Sequence, residues 1–299
     1  DFAEAAKWYR EAAEQGHALA QFKLGNLYRH GAGIEQDLQK AHHWFRIAAE
    51  LGNADAQYSL GQLYENGHGV AQDFSTALHW YNEAAERGNS VAECALGCMH
   101  EYGKGVAENL AQAAEWYRRS AEHGNARGQA YLGDMYEFGK GVEQDFATAV
   151  KWYREAAKQN DTFGQVNLGD MYEFGKGVDQ DFAEAMKWFR CAAEQGDPAA
   201  QVRLGSLYEE GNGTARDLKE AARLYRMAAE QGEIDAQLRL AQLYESDAHL
   251  GPDLFQAQKW YQVAAAAGSE DAKRALSRSS FTGTCGNRMN EATGDSSSE

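Results

Sequence analysis

The amino-acid sequence predicts an all-α fold of the α/α solenoid type, built from helix pairs that repeat every 36 residues. Two observations predict it. The first is spacing, because an aspartate or asparagine recurs at intervals of 36 residues without insertion or deletion. The second is an aromatic pair, replaced once by Leu-Tyr, that begins seven residues after each of these positions, in a stripe with the period of a helix. One helix pair cannot bury its own apolar stripe, so we expect neighbouring pairs to stack. The recurring residues are Asp1, Asp37, Asp73, Asn109, Asp145, Asp181, Asp217 and Asp253.

The first helix of each unit, which we call the WY helix, is predicted to begin at the recurring aspartate. A carboxylate there accepts hydrogen bonds from free backbone N–H groups and suits the positive end of a helix. Gly16 opens a column of glycines that supply a left-handed helix stop, and Asn160 replaces glycine once. All seven tryptophans fall in this helix type, and the pattern places them on its packed stripe. The pairs are Trp8-Tyr9, Trp44-Phe45, Trp80-Tyr81, Trp116-Tyr117, Trp152-Tyr153, Trp188-Phe189, Leu224-Tyr225 and Trp260-Tyr261.

The second helix, which we call the LG helix, carries the signature Ala56, Leu60, Gly61, Leu63 and Tyr64 in its clearest copy. A glycine in the middle of a helix costs about 1 kcal/mol relative to alanine, so its recurrence needs a packing reason. We expect it to permit close contact with an alanine of the neighbouring WY helix.

A turn with paired glycines follows each LG helix, as at Gly67 and Gly69. Such glycines permit positive φ, and the next residue, Val70, is expected to fill the end of the hairpin. A phosphate-binding loop is not favoured, because no third glycine completes the G-x-G-x-x-G pattern and no strand precedes it.

The combined pattern resembles the Sel1-like repeat family, which is related to the tetratricopeptide repeat. The resemblance is carried by A-x-x-x-L-G-x-L-Y-x-x-G-x-G-V over residues 56–70 and by D-x-x-x-A-x-x-W-Y-x-x-A-A over residues 145–157, and it extends to about residue 276. It departs where His100 replaces the tyrosine and where Asp247 and His249 replace the last glycine pair. The resemblance implies a right-handed superhelix whose concave wall is lined by LG helices and binds ligands.

In the order of that family the LG helix comes first, which divides the chain into four parts. Residues 1–16 form the second helix of an incomplete repeat, and residues 17–268 form seven Sel1-like repeats. Residues 269–280 form a C-terminal capping helix, and residues 281–299, which lack an apolar period, form a flexible tail. A bare first helix would expose an apolar face, so we expect further helix upstream or a partner over this end.

Composition disfavours several classes of function. The net charge of −16 argues against nucleic acid as a partner, because affinity for phosphates rests on clustered Lys and Arg. No run of 18 apolar residues predicts a transmembrane segment. Metalloprotease, nucleophile-elbow and Walker-type motifs are missing from the sequence, so we predict that the protein is not an enzyme and takes no cofactor.

Two groups of side chains with metal-binding chemistry remain. Cys94 and Cys98 lie near His100 and could ligate a metal ion, but they occupy columns that vary freely between repeats. A chance cluster with free thiols is therefore favoured, and no metal site is predicted. The histidines on the WY helices, which we expect to be solvated, are His42, His43 and His79.

The residues that vary within the fixed frame of the LG helices are the candidate binding residues. Glutamates follow the tyrosine in most copies, phenylalanine follows two of them, and residues 133–142 and 169–178 share the sequence GDMYEFGKGV. We predict that this ridge binds a basic or mixed-charge surface of a partner protein through charge-assisted hydrogen bonds and aromatic anchors. The alternative is that the glutamates are only solvated helix formers. The predicted partner-binding residues are Asp134, Asp170, Glu101, Glu137, Glu173, Glu209, Phe138 and Phe174.

The sequence therefore predicts a scaffold or adaptor for protein–protein interaction. The family resemblance implies a bacterial envelope regulator, or an immunity protein that neutralises a secreted toxin. It also favours an exported or periplasmic location over a cytoplasmic one, and it leaves the oligomeric state open. One alternative, a carbohydrate- or peptidoglycan-binding module, is disfavoured because the tryptophans are predicted to be packed. A β-lactamase-like enzyme is disfavoured because the chain lacks the regular cysteine pairs of such family members and lacks a nucleophile with a base.

Overall fold

The computed structural model describes residues 2–246 and 253–278, which consist of helices joined by short turns, with no strand in those ranges. Contacts divide the chain into two compact units, residues 1–164 and 165–299. The helices α1 to α15 have 13 residues each, with WY helices at odd numbers and LG helices at even numbers. They are α1 Phe2–Glu14, α2 Ala18–His30, α3 Leu38–Glu50, α4 Ala54–Asn66, α5 Phe74–Glu86, α6 Ser90–Tyr102, α7 Leu110–Glu122, α8 Ala126–Phe138, α9 Phe146–Lys158, α10 Thr162–Phe174, α11 Phe182–Glu194, α12 Pro198–Glu210, α13 Leu218–Glu230, α14 Ile234–Ser246, α15 Leu254–Ala266 and α16 Glu270–Leu276.

The predicted helix starts are confirmed by side-chain caps. In the WY helix α5, Asp73 Oδ1 accepts from the backbone N–H of Ser75 at 3.0 Å and of Thr76 at 3.1 Å. In the LG helix α6, Asn89 Oδ1 accepts from the N–H of Ala92 at 2.9 Å. Each cap satisfies a donor that has no partner inside its own helix.

The glycine turn fixes the length of the repeat. Gly69 has φ of 74°, and a Cβ at this position would lie 2.8 Å from the backbone of Leu38 in the preceding WY helix, so glycine is required on both counts. The turn closes with a backbone hydrogen bond from Asp73 N to Tyr64 O at 2.9 Å. The same closure recurs at Asp37, Asn109, Asp145, Asp181, Asp217 and Asp253.

The second aromatic of each WY pair, rather than the tryptophan, forms the core. Tyr81 and Phe189 are buried, whereas Trp80 and Trp188 are half-exposed. The prediction that the tryptophans lie on the packed stripe is confirmed in part, because most of them are partly buried and pack against the core, as at Trp44, Trp80, Trp116, Trp152 and Trp260. Adjacent positions on a helix point about 100° apart, so the second member of each pair is the more deeply buried one. The buried second members are Phe45, Tyr81, Tyr117, Tyr153, Phe189, Tyr225 and Tyr261.

The mid-helix glycine of the LG helix makes room for this buried ring. A Cβ on Gly61 would lie 2.6 Å from Cδ1 of Tyr81, and one on Gly169 would lie 2.5 Å from Cε1 of Phe189. The expected contact with an alanine is wrong, because the flat face of an aromatic ring takes that space. Ala241 stands in this column in α14 and is itself fully buried.

A column of buried glutamines ties several LG helices to the WY helix before them. Gln57 Nε2 donates to Ala49 O at 3.1 Å, and the same bond forms at Gln21, Gln129, Gln201 and Gln237. Glu93 replaces glutamine in α6 and is fully buried. Its carboxylate lies 3.1 Å from Arg119 on α7 and 2.8 Å from Nδ1 of His123, the residue that follows α7.

The first helix exposes large apolar side chains, and the last helix is short. On α1, Phe2 is 66% and Trp8 is 64% exposed. At the other end, α16 covers Glu270–Leu276 after a cap by Ser269, while residues 279–280 of the predicted capping helix lie outside the described residues. The predicted tail, residues 281–299, and the atypical turn at Asp247 and His249 also lie outside them.

Candidate partner-binding surface

The eight predicted binding residues fall into both compact units. Glu101, Asp134, Glu137 and Phe138 belong to residues 1–164, where they lie on the LG helices α6 and α8. In residues 165–299, Asp170, Glu173 and Phe174 lie on α10, and Glu209 lies on α12.

The glutamates form a column that accepts hydrogen bonds from the buried tyrosines. Tyr117 Oη donates to Glu101 Oε2 at 2.7 Å, and Tyr225 Oη donates to Glu209 Oε2 at 2.7 Å. Burial raises the pKa of Tyr225, so its hydroxyl keeps its proton and remains a donor. The same bond joins Tyr81 to Glu65, Tyr153 to Glu137 and Tyr261 to Glu245. These glutamates therefore hold the fold, and Glu137, only 5% exposed, is hidden from a partner.

Lysines of the glycine turns neutralise part of the remaining carboxylate charge. Lys140 Nζ lies 2.8 Å from Asp134 Oδ2 and 3.7 Å from Glu101 Oε1. Lys104 Nζ lies 3.2 Å from Glu65 Oε1, one repeat earlier. The predicted ridge is thus a network of paired charges rather than a row of free carboxylates.

The aromatics at the ends of the LG helices are exposed. Tyr102 is 65% and Phe138 is 57% exposed, at equivalent positions one repeat apart. Lys140 lies 5.4 Å from the centre of the Phe138 ring, and its charge also acts on Tyr102. We call Tyr102, Phe138 and Lys140 the aromatic surface.

The second unit repeats some of these elements. Phe174 is exposed, with Arg203 lying 5.8 Å from the centre of its ring, and the same guanidinium is 3.3 Å from Asp170 Oδ1. Glu173 differs from its equivalents, because its Oε2 is buried without a hydrogen-bond partner. Burial raises the pKa of Glu173, an effect that nearby Arg203 opposes.

A pocket in the first unit was not predicted from the sequence. It has a volume of about 420 Å³, and its lining includes Tyr58, Tyr102, Tyr131, Cys94 and Cys98. The sequence did carry a signal, since Cys94 stands in the column that holds Phe22 and Tyr58 in earlier repeats. A small thiol in place of a ring leaves space.

The tryptophan column offers no bare ring face for a sugar in several of its copies. Lys151 lies over Trp152 at 5.3 Å, and Arg119 lies over Trp116 at 4.6 Å. Lys187 over Trp188 and Lys259 over Trp260 repeat the arrangement. In these copies a cation therefore competes with a carbohydrate ring for a face of the tryptophan.

The histidines and the candidate metal cluster are placed as follows. His42 Nε2 lies 3.1 Å from Tyr64 Oη and is half-buried, so the expectation that it is solvated is wrong. Burial lowers the pKa of His42.

The ring of His100 has no hydrogen-bond partner at Nδ1. Within residues 2–246 and 253–278, no three His, Cys, Asp or Glu side chains converge on a point where a metal ion would bind. In the same ranges no helix combines the length and apolarity needed to cross a bilayer.

These features define the class of protein, a helix-pair repeat array whose exposed residues vary on a constant frame. The Sel1 repeat family model matches residues 1–17, 18–53, 54–89, 90–125, 126–161, 162–197, 198–233 and 234–269. The chain therefore belongs to the Sel1 repeat family. No curated protein sequence matches it.

Solved structures similar to the chain include two bacterial repeat proteins. One is a protective antigen present in uropathogenic Escherichia coli strains that displays an SLR fold, with 39% identity and a TM-score of 0.79 over 92% of this chain. The chain spans 59% of the length of that protein. The second is a Sel1 repeat protein from Oxalobacter formigenes, with 35% identity and a TM-score of 0.74, covering 91% of this chain and 79% of that chain. An immunity protein from Pseudomonas aeruginosa has 21% identity and a TM-score of 0.45 over 71% of this chain and 81% of its own, too distant to support an argument about function.

Proposed function

We propose that this chain is a scaffold that binds a partner protein through the aromatic surface. The observation that carries the proposal is the exposure of Tyr102 and Phe138 at equivalent positions of successive repeats, both near Lys140. Exposed aromatics that become buried in a complex contribute a large share of binding free energy. Sel1 repeat proteins are protein-interaction scaffolds, which supports the same function.

The partner's surface is proposed to carry mixed charge with a basic excess. The net charge of −16 attracts a basic partner over long range. At contact, a cation of the partner replaces Lys140 on Asp134 or Glu101, while an acidic residue of the partner pairs with the released lysine. Glu137 supports the surface by holding Tyr153 rather than by touching the partner.

In the second unit we propose that Asp170, Phe174 and Glu209 also contact the partner. Phe174 is exposed, and both carboxylates lie near an arginine, Asp170 near Arg203 and Glu209 near Arg239 at 3.5 Å. Glu173 is proposed to contribute only through the exposed part of its side chain, because its Oε2 is buried.

The finer proposal is a bacterial, exported binding protein without catalytic activity. The similarity to a protective antigen of uropathogenic Escherichia coli supports the bacterial setting. An envelope regulator and an immunity protein are the two forms of this proposal. The identity of the bound partner distinguishes them, since one binds an envelope component and the other a secreted toxin.

The test is capture of a partner, followed by affinity measurement with the purified partner. Partners are captured from an extract of the source organism on the immobilised chain and identified by mass spectrometry. The identified protein is then purified and titrated against the wild-type chain and a Tyr102→Ala/Phe138→Ala variant. Loss of two aromatic anchors is expected to weaken binding at least about 10-fold, because each anchor contributes roughly 1–2 kcal/mol or more.

Leu51→Ala is the matched control. Leu51 is equally exposed, at 57%, but lies at the end of the WY helix α3. Its variant is expected to bind the partner as the wild type does. Equal affinity of the double aromatic variant and the wild type, with unchanged helicity by circular dichroism, would show that the aromatic surface is not the binding site.

A further inference from the structure

The pocket beside the aromatic surface contains a pair of thiols. Cys94 and Cys98 lie one helical turn apart on α6, and both line the 420 Å³ pocket together with Tyr58 and Tyr131. Cys98 is half-buried, and Cys94 is almost fully buried behind it. Neither forms a disulfide. Val91 and Ala95, also on α6, line the same pocket, and the partial exposure of Cys98 there lets a small molecule reach its sulfur.

The surroundings of the two sulfurs shift the pKa values of the two thiols in opposite directions. Interaction with the Cys94 thiol, one helical turn away, is the main reason that the pKa of Cys98 is lowered to about 7. The hydroxyl of Tyr117 on α7 lies 3.2 Å from Cys98 Sγ and shares its one proton between that sulfur and Glu101 Oε2 at 2.7 Å, so its support for the thiolate is weak against the opposing effects of burial and of Glu101 and Glu65. The same interaction between the two thiols, together with burial, raises the pKa of Cys94. Cys98 is therefore the nucleophile, since the thiolate is the reactive form, and Cys94 retains the proton.

The pocket also contains groups that suit a carboxylate-bearing molecule. Two cations, Lys104 and Arg127, and one acidic residue, Glu65, belong to its lining, so the cations are in excess there. Both cations are more than one-third exposed, although Lys104 pairs with Glu65 and Arg127 with Asp161. The tyrosine rings provide the apolar walls. We propose that Cys98 is a site of reversible thiolation, which reacts with a low-molecular-weight disulfide that carries carboxylates.

The proposed step is thiol–disulfide exchange. The Cys98 thiolate attacks one sulfur of the disulfide R–S–S–R′, a new S–S bond forms between Cys98 and R–S, and the old S–S bond breaks. R′–S⁻ leaves with the electron pair and takes a proton from water, so Cys98 is oxidised as the small disulfide is reduced. Side chains four residues apart on a helix have Cβ atoms about 5–6 Å apart, whereas a disulfide needs about 3.5–4.5 Å. Cys94 therefore does not displace the adduct, which persists until another thiol reduces it.

The chain supplies matched variants for the test. Alanine occupies the Cys94 column at Ala130, and serine occupies the Cys98 column at Ser206, where its hydroxyl lies 3.2 Å from Tyr225 Oη. Cys94→Ala and Cys98→Ser thus copy side chains that other repeats carry. Both are made in a Cys191→Ser/Cys285→Ser background, so that only the pocket thiols remain.

The variants are treated with glutathione disulfide, and adducts are located by intact-mass and peptide mass spectrometry across a pH series. The expected result is one adduct on Cys98, with a rate that rises to half its maximum near pH 7. Cys94→Ala is expected to move this midpoint upward toward the ordinary thiol value of about 8.5, and Cys98→Ser to abolish the adduct. Each disulfide's rate with Cys98 is divided by its rate with a small free thiol. On this relative scale the uncharged bis(2-hydroxyethyl) disulfide is expected to react at least about 3-fold more slowly than glutathione disulfide, because it lacks the carboxylates that Lys104 and Arg127 attract.

Three outcomes would overturn the proposal. The first is an adduct on Cys94 instead of Cys98. The second is a midpoint near pH 8.5 that does not move in Cys94→Ala. Equal relative rates for the charged and uncharged disulfides would remove the carboxylate preference. None of these measurements involves a protein partner, so they are independent of the scaffold function.

Discussion

Two equivalent helix pairs within residues 165–278 differ by one oxygen atom at their centre. Tyr225 donates its hydroxyl to Glu209 at 2.7 Å. At the equivalent place Phe189 has the same buried ring without a hydroxyl, and Oε2 of Glu173 is buried with no hydrogen-bond partner. Both rings pack over a glycine, Gly205 or Gly169. The comparison shows that the packing requires the aromatic ring, whereas the hydroxyl determines whether the buried carboxylate oxygen accepts a hydrogen bond.

The largest expected effect comes from removing either ring. Tyr225→Ala and Phe189→Ala are each expected to lower the free energy of unfolding by about 3–5 kcal/mol, because both leave a cavity at a fully buried site. Urea denaturation followed by circular dichroism measures the loss. A difference of more than about 2 kcal/mol between the two variants would contradict the idea that the ring alone carries the packing.

Exchanging the two side chains tests the hydroxyl separately. Tyr225→Phe is expected to cost about 1–2 kcal/mol, because Glu209 loses a charge-assisted hydrogen bond. Phe189→Tyr is expected to stabilise the protein by about 1 kcal/mol, because the new hydroxyl can donate to Glu173 Oε2. The same denaturation measurement applies. If Phe189→Tyr destabilises the protein, the space beside Glu173 does not accommodate the hydroxyl and the two sites are not equivalent.

The smallest expected effect depends on pH. Burial raises the pKa of Glu173 above its ordinary value of 4.5, so the folded protein holds this proton more tightly than the unfolded chain. The ionised carboxylate therefore costs stability above the raised pKa, and the cost disappears as the pH falls below 4.5. Glu173→Gln is expected to stabilise the protein by about 0.5 kcal/mol at pH 7 and to have no such effect at pH 4.

Glu209→Gln is the control for this pH series. It weakens an existing hydrogen bond from Tyr225, so it is expected to destabilise the protein at pH 7 rather than stabilise it. If both variants gain the same stability at pH 7, the loss of one negative charge explains the result. The lack of a tyrosine hydroxyl at Phe189 then has no part in it.

The repeat frame was predictable from the sequence because its causes are local. Asp73 caps α5 and Gly69 takes a left-handed conformation, and both follow from the chemistry of one residue in its own turn. The division between Trp80 and Tyr81 was not predictable from periodicity alone. Both fit an apolar stripe, and the exact rotation of the helix against its neighbours decides which is buried.

The state of the candidate binding residues was harder to predict, because it depends on contacts between helices. The sequence gives no direct sign that Tyr153 binds Glu137, although the 16-residue spacing between them recurs at each tyrosine of the column. Of the two phenylalanines in this column, Phe45 has an arginine 16 residues earlier, Arg29, whereas Phe189 keeps a glutamate, Glu173. The recurring Tyr–Glu spacing was therefore the available signal, and covariation within the chain supports it only at Phe45. The pairing of Lys140 with Asp134 and Glu101 depends on the course of the glycine turn and had no such signal.

The uniform closure of the glycine turns has a consequence for inheritance. The hydrogen bond from Asp145 N to Tyr136 O has the same length, 2.9 Å, as that from Asp181 N to Tyr172 O, and each belongs to a copy of the same ten-residue segment. Unequal crossing-over between the two stretches of DNA that encode these segments removes or adds 36 codons and regenerates an intact turn at the junction. Length polymorphism among alleles of this gene is therefore expected in whole steps of one helix pair.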